Sequence, residues 1–366
     1  MRKFMIAILV LMLAVFGAAA QDAPAVNCGD LSAEDCGILE SSQAAMAEVS
    51  SGAFNLTFDL AITGAADATD NMSLGLSADG SFSGVNFFAN NQVMNATDMA
   101  TDLAASLEVL QAGLNNFDGT LNLNLTLPAD SGLPLPLGDS LALELALVDG
   151  IGYINFDTVS ELLGPDAASM GLVGWGGIDL NYILDQFGPM ISSMAAGTLD
   201  QAAAGVTDPE VLGEFANPEF INSYVSTERA ADEGGLAVFL TTIDVAGLVN
   251  DPAVREAVVA QAEAQGTTSE DVLSVLDQLA AAGEGFSVTV NQRIDLATSY
   301  IDSLDISVFL DASAFQEGET GTLTVNGVIS YSDLNNVTVS APEGANVASP
   351  EFLNAMLGSM MGGQSQ

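Results

Sequence analysis

Apolar residues recur at every second position in several stretches of the chain, the signature of strands with one buried face. Residues 54–63 place Phe54, Leu56, Phe58, Leu60 and Ile62 on one side, with Asn55, Thr57, Asp59 and Thr63 on the other. The alternation is cleanest at 120–127, where Leu121, Leu123, Leu125 and Leu127 oppose Thr120, Asn122, Asn124 and Thr126. In "LALELALVDGIGYINFD" (141–157), Leu141, Leu143, Leu145 and Leu147 share a face, and Asp149-Gly150 turns the chain into a second apolar run, predicting a hairpin. The other face of its first strand holds Ala142, Glu144, Ala146 and Val148, which suits a place inside a sheet. Shorter strands are expected at 72–76 and 81–88, joined by a turn at Asp79-Gly80. More follow in "GGLAVFLTTIDV" and in the C-terminal stretches around Phe286, Leu304 and Leu323.

Between these runs the spacing turns helical. Ser32 is the expected N-cap of a helix reaching to about residue 50, with Glu34 and Asp35 favourable to the helix dipole in its first turn. Further helices are expected at 97–112, across a Gly/Pro-punctuated block at 158–231, and at 251–264 and 269–282. A short Met-rich helix with a frayed end is expected at 349–366. Strand blocks alternating with helical blocks predict an α+β fold with large antiparallel sheets. One domain over 21–348 is expected; a division into two would fall near 200–234.

The N-terminus, "MRKFMIAILVLMLAVFGAAAQ", has two cations, a short uncharged run and Ala18-Ala19-Ala20, the pattern of a signal peptide cut after Ala20. Cys28 and Cys36 follow closely. In an exported chain they are expected to form a small disulfide loop worth about 2–3 kcal/mol in the chain-entropy model, which would pin the mature N-terminus. Asn27 stands before Cys28 where a lipoprotein signal wants a small residue, so lipidation is not expected.

Charge narrows the partners. The chain has five Lys+Arg against 48 Asp+Glu, a formal net charge of −43, and beyond Lys3 its only cations are Arg229, Arg255 and Arg293. Such a surface repels nucleic acid and anionic headgroups. It serves solubility, or suits a saline medium.

The chain has no histidine, and no lysine after Lys3. Ser-His and Cys-His pairs, zinc sites built on imidazole, Schiff bases and P-loops are therefore excluded by residue type. Two thiols alone do not make a zinc shell, and the Asp67–Asn71 cluster lacks EF-hand register. A carboxylate-pair hydrolase is the remaining catalytic class, and no pair stands out for it. No cofactor and no metal is expected. On pattern alone, the apolar strand faces read as an ordinary core covered by helices.

"SSGAFNLTFDLAITG", "LVDGIGYINF", "WGGIDL" and the closing "VNGVISYSDLNNVTVSAPEGA" together resemble the LppX/LprG-type proteins of bacterial cell envelopes, within the LolA/LolB-like superfamily. The most specific stretch is Tyr331-Ser332-Asp333-Leu334-Asn335, followed by Val337, Val339 and Pro342. The resemblance implies a curved antiparallel β half-barrel with helices packed on its concave face, and between them a hydrophobic cavity that carries a lipid or other apolar small molecule. It brings no catalytic residues. It implies a cavity lining of Phe54, Leu56, Phe58, Leu121, Leu123, Leu125, Leu143 and Leu145, with Trp175 and Ile178 where the hairpin hands over to helices. The expected function is thus an exported, non-enzymatic carrier of the periplasm or cell envelope. The alternative is a structural envelope protein of the same fold with a filled core and a protein partner.

Overall fold

The structure, a computed structural model, describes residues 26, 28–64, 71–84, 111–126, 140–160, 172–186, 223–264, 268–311, 313 and 320–354. The leader and most of the helices expected at 97–112 and 158–231 lie outside these residues. The described strands are β1 (Ser51–Thr63), β2 (Met72–Ser83), β3 (Asp118–Thr126), β4 (Ser140–Val148), β5 (Ile151–Asn155) and β6 (Trp175–Asp179) in the first half. In the second are β7 (Val225–Arg229), β8 (Leu236–Ile243), β9 (Phe286–Asp295), β10 (Ile301–Asp311), β11 (Thr322–Ser332) and the two-residue β12 (Asn346–Val347). They form one 12-stranded sheet in the order β12-β6-β5-β4-β3-β2-β1-β11-β10-β9-β8-β7. Every neighbouring pair is antiparallel except β12 with β6, and the sheet does not close, having β12 and β7 as its edges.

Cross-strand register carries one apolar face from edge to edge. Phe54 faces Tyr331 and Gly80, Leu121 faces Gly80 and Leu145, and Leu145 faces Ile154. On the other side of β1, Val308 pairs with Val325 and Val288. Because side chains alternate along each strand, all of these residues point to the same, inner side.

The described helices include α1 (Ala33–Ala47), α2 (Val245–Asn250), α3 (Pro252–Ala264) and α4 (Ser269–Ala282). The Ser32 side chain caps α1 by accepting from the Asp35 amide at 3.1 Å, and Cys28 and Cys36 form a disulfide across its first turn. Leu39 of α1 packs on Ala237, Phe239 and Ile294, while Met46 and Val49 pack on Phe82 and Leu334. α1 thus spans one end of the inner face, from β8 to β2. α2 and α4 bury Val245, Val249, Val272, Leu276 and Leu279 against Phe286, Val308, Leu310 and Val325, covering the other end of β8–β11.

Two local expectations change. Residues 72–83 form one continuous strand instead of two joined at Asp79-Gly80. Gly80 is there because a Cβ would lie 2.1 Å from the Thr120 carbonyl oxygen and 2.8 Å from the Phe54 ring; the glycine makes room for that ring. The block at 158–231 contains two strands, β6 and β7, besides helical residues 180–186. Each strand has only five residues, too few for a period to show, and its neighbour in the sheet supplies the pairing. The Asp149-Gly150 turn is confirmed, with φ of 52° and 75°, the two left-handed residues of a hairpin turn.

The closing motif has a structural task. Asn335 adopts φ 61°, its Oδ1 accepts from the Ser50 amide at 2.8 Å, and its Nδ2 donates to the Tyr300 hydroxyl at 3.1 Å. It thereby ties the end of β11 to the start of β1. Asn335→Ala loses these bonds and puts alanine in a left-handed conformation. It is expected to cost about 2 kcal/mol, read as a lower urea midpoint, with Asn335→Gly recovering part of the loss.

Asp251 caps α3, accepting from the Ala253 amide at 2.7 Å and from the Tyr224 hydroxyl at 2.7 Å. The Tyr224 bond is the main cause holding its carboxyl below the ordinary value of 3.8. A lowered folded-state pKa contributes stability that is present above the unfolded value and lost as pH falls through the folded one. Asp251→Asn is therefore expected to flatten the acid limb of a stability-versus-pH curve below about pH 4.

Candidate functional site: an apolar cavity under strands β1 to β6

Among the described residues, the helices leave part of the inner face bare. Over the ends of β1–β6 and β11 lies a cavity of about 1110 Å³. Its wall is built by Phe54, Phe82, Phe117, Leu121, Leu145, Leu147, Ile154, Ile178, Ile329 and Tyr331. β11 and β6 are six strand steps apart, about 29 Å in a flat sheet at the usual strand spacing, whereas a round cavity of that volume is about 13 Å across. Both strands can line it only because the sheet curls around it.

The C-terminal segment closes the cavity at the sheet edge. After the Asn335 latch, Val337, Val339 and Ala345 pack on the outer face against Ala146, Val148, Tyr153 and Trp175. β12 then pairs beside β6, the Ala348 amide donates to the Gly177 carbonyl at 2.8 Å, and a helical turn at 350–354 follows. That turn puts Leu353, 1% exposed, and Phe352, 60% exposed, on the cavity. Val173 and Val347, 57% and 41% exposed, also border it, so its mouth is rimmed by apolar side chains.

Of the residues expected to line a cavity, Phe54, Leu121, Leu145, Trp175 and Ile178 border this one. Leu56, Phe58, Leu123, Leu125 and Leu143 share the inner face by register but do not border it, and Phe58 packs instead beside the cluster under α2 and α4. Trp175 and Ile178 fall in β6, between the hairpin and helical residues 180–186. Alternation puts them on opposite faces: Ile178 inward, and Trp175 against the outer cluster at the edge. Phe82, Phe117, Ile329 and Leu353 also line the cavity. Ile329 was signalled by its phase with Leu323 and Val325; Leu353 falls in the helix expected at 349–366, of which 350–354 are described, but nothing in the sequence placed it on the cavity.

The electrostatics are one-sided. Among the described residues, no Asp, Glu or Arg borders the cavity. Burial pushes the Tyr331 hydroxyl above its ordinary range, so it stays neutral. The three arginines are engaged elsewhere: Arg229 with Asp35 and Asp232, Arg255 with Asp277 at 2.5 Å, and Arg293 with Asp305 and Glu233. Such a wall can bury apolar surface.

Fold and site together define an α+β protein with a hydrophobic cavity between a curved, unclosed antiparallel sheet and the segments packed on it. No protein-family model and no curated protein matches the chain. Among solved structures the chain is similar to LprF from Mycobacterium bovis, at 16% identity and a TM-score of 0.28, covering 87% of this chain and 100% of that one. A superposition that loose transfers no residue from one chain to the other.

Among the described residues, no helix is long and apolar enough to cross a membrane.

Proposed function

We propose that the protein is an exported, non-enzymatic carrier that holds a lipid or other apolar small molecule in the cavity under β1–β6. The cavity carries this reading. About 1110 Å³ of space walled by Phe, Leu and Ile lies just above the ~300–1,000 Å³ usual for ligand pockets. Binding then comes from apolar burial, about 0.8 kcal/mol for each methylene enclosed. The N-terminal leader pattern and the Cys28–Cys36 disulfide support export to an oxidising compartment. The resemblance of its sequence motifs to those of LppX/LprG-type envelope proteins supports the same reading.

Mass spectrometry of protein purified without detergent tests it, together with titration by Nile red. A co-purifying lipid, or saturable probe binding displaced by lipid, is the expected result. Protein that carries nothing and leaves the probe dark would instead fit a structural envelope protein with a protein partner.

A further inference from the structure

Resting on that carrier reading, we propose that the cavity selects uncharged apolar ligands and rejects anionic lipids that bear the same chain. The first observation is the wall itself, which contains no cation to meet a carboxylate or phosphate. The second is the sequence as a whole. Beyond Lys3 the chain has no lysine or histidine and only Arg229, Arg255 and Arg293, so no other side chain past the leader can supply a cation to the cavity. All three arginines are committed to carboxylates: Arg229 where α1 meets edge strand β7, Arg255 between α3 and α4, and Arg293 with Asp305 and Glu233.

Two placements of an anionic head group can be weighed. Drawn into the cavity, it would be a buried, unpaired charge, whose desolvation costs several kcal/mol with nothing to offset it. Held in water at the mouth, it would sit among Val173, Val347 and Phe352, next to Glu351, on a chain of net charge −43. Both placements are unfavourable, the second to an extent that salt reduces. An uncharged head group meets neither penalty and has Asn346 on the wall as a hydrogen-bonding partner. The ligand class that fits is a neutral lipid: an acylglycerol, a long-chain ester or alcohol, or an isoprenoid.

The experiment is displacement of Nile red from the full mature chain by two lipids of one acyl chain, palmitoyl monoacylglycerol and the corresponding lysophosphatidic acid. The monoacylglycerol is expected to displace the probe at a concentration at least about tenfold lower. Equal or better displacement by lysophosphatidic acid would overturn the inference while leaving the carrier reading standing. If Nile red itself does not bind, the carrier reading fails and the inference with it. Phe352→Arg adds a cation at an exposed position of the mouth, where folding does not depend on the ring. It is expected to narrow the gap between the two lipids by at least about threefold at low salt. A gap that does not move would show that charge is not its cause, and would also overturn the inference.

Discussion

Replacing Leu121 and Leu145 together by tryptophan is expected to lower Nile red affinity by at least about tenfold, with the urea midpoint unchanged or raised. The two residues are cross-strand partners on β3 and β4, and both border the cavity. Two indoles there take up space that the ligand would otherwise fill. Losing contact with only two methylenes is worth about 1.6 kcal/mol, more than a factor of ten in binding. Stability should move the other way, because new side-chain contacts replace empty space. A filled interior gives the opposite pattern: overpacking would cost about 1–3 kcal/mol at each site, and the midpoint would fall. The double variant therefore separates a carrier from a packed structural protein by the sign of the stability change.

Phe239→Ala is expected to be the most destabilising single change, at about 3–5 kcal/mol. The ring is 0% exposed on β8, in the cluster of Leu39, Ala237 and Ile294, and the Arg229 guanidinium lies 4.8 Å from its centroid. Removing it opens a void beneath α1 and takes the aromatic face away from a cation at the same time. Phe239→Leu should recover much of the loss. Urea unfolding measures the difference, and amide exchange within α1 should quicken in the alanine variant. Phe239 does not border the cavity, so the molecules that remain folded should bind Nile red with unaltered affinity. Altered affinity would show that the two ends of the inner face are coupled.

Much of the architecture can be read from single residues. The alternation of Leu121, Leu123 and Leu125 determines which side of β3 is buried, because a strand's period of two leaves only two faces. Asp149-Gly150 specifies its turn, since both central residues of that turn need positive φ. Ser32 and Asp251 each mark a helix start through one side-chain oxygen and the nearby amides. These are local devices, complete within a few residues of chain.

Gly80 shows where local reading fails. Asp79-Gly80 has the chemistry of a turn, yet β1 and β3 flank it, and the space the glycine leaves is filled by Phe54, 26 positions earlier in the chain. Leu353 shows the same limit. A helix was expected there, but its burial depends on a segment that leaves β11, crosses the outer face and rounds the edge of β6.

The sequence by itself determined the α+β class, the inner face of the principal strands, the helix starts that are capped by side chains, and the scarcity of cations, three arginines beyond Lys3. Only the tertiary structure decided where along that face the cavity lies. Leu121 and Leu125 are alike by period and differ in position along one strand, and only Leu121 borders the cavity. Periodicity reports which way a side chain points, whereas a cavity depends on which part of that face the helices leave uncovered and how far the sheet curls, both set by contacts between residues distant in sequence.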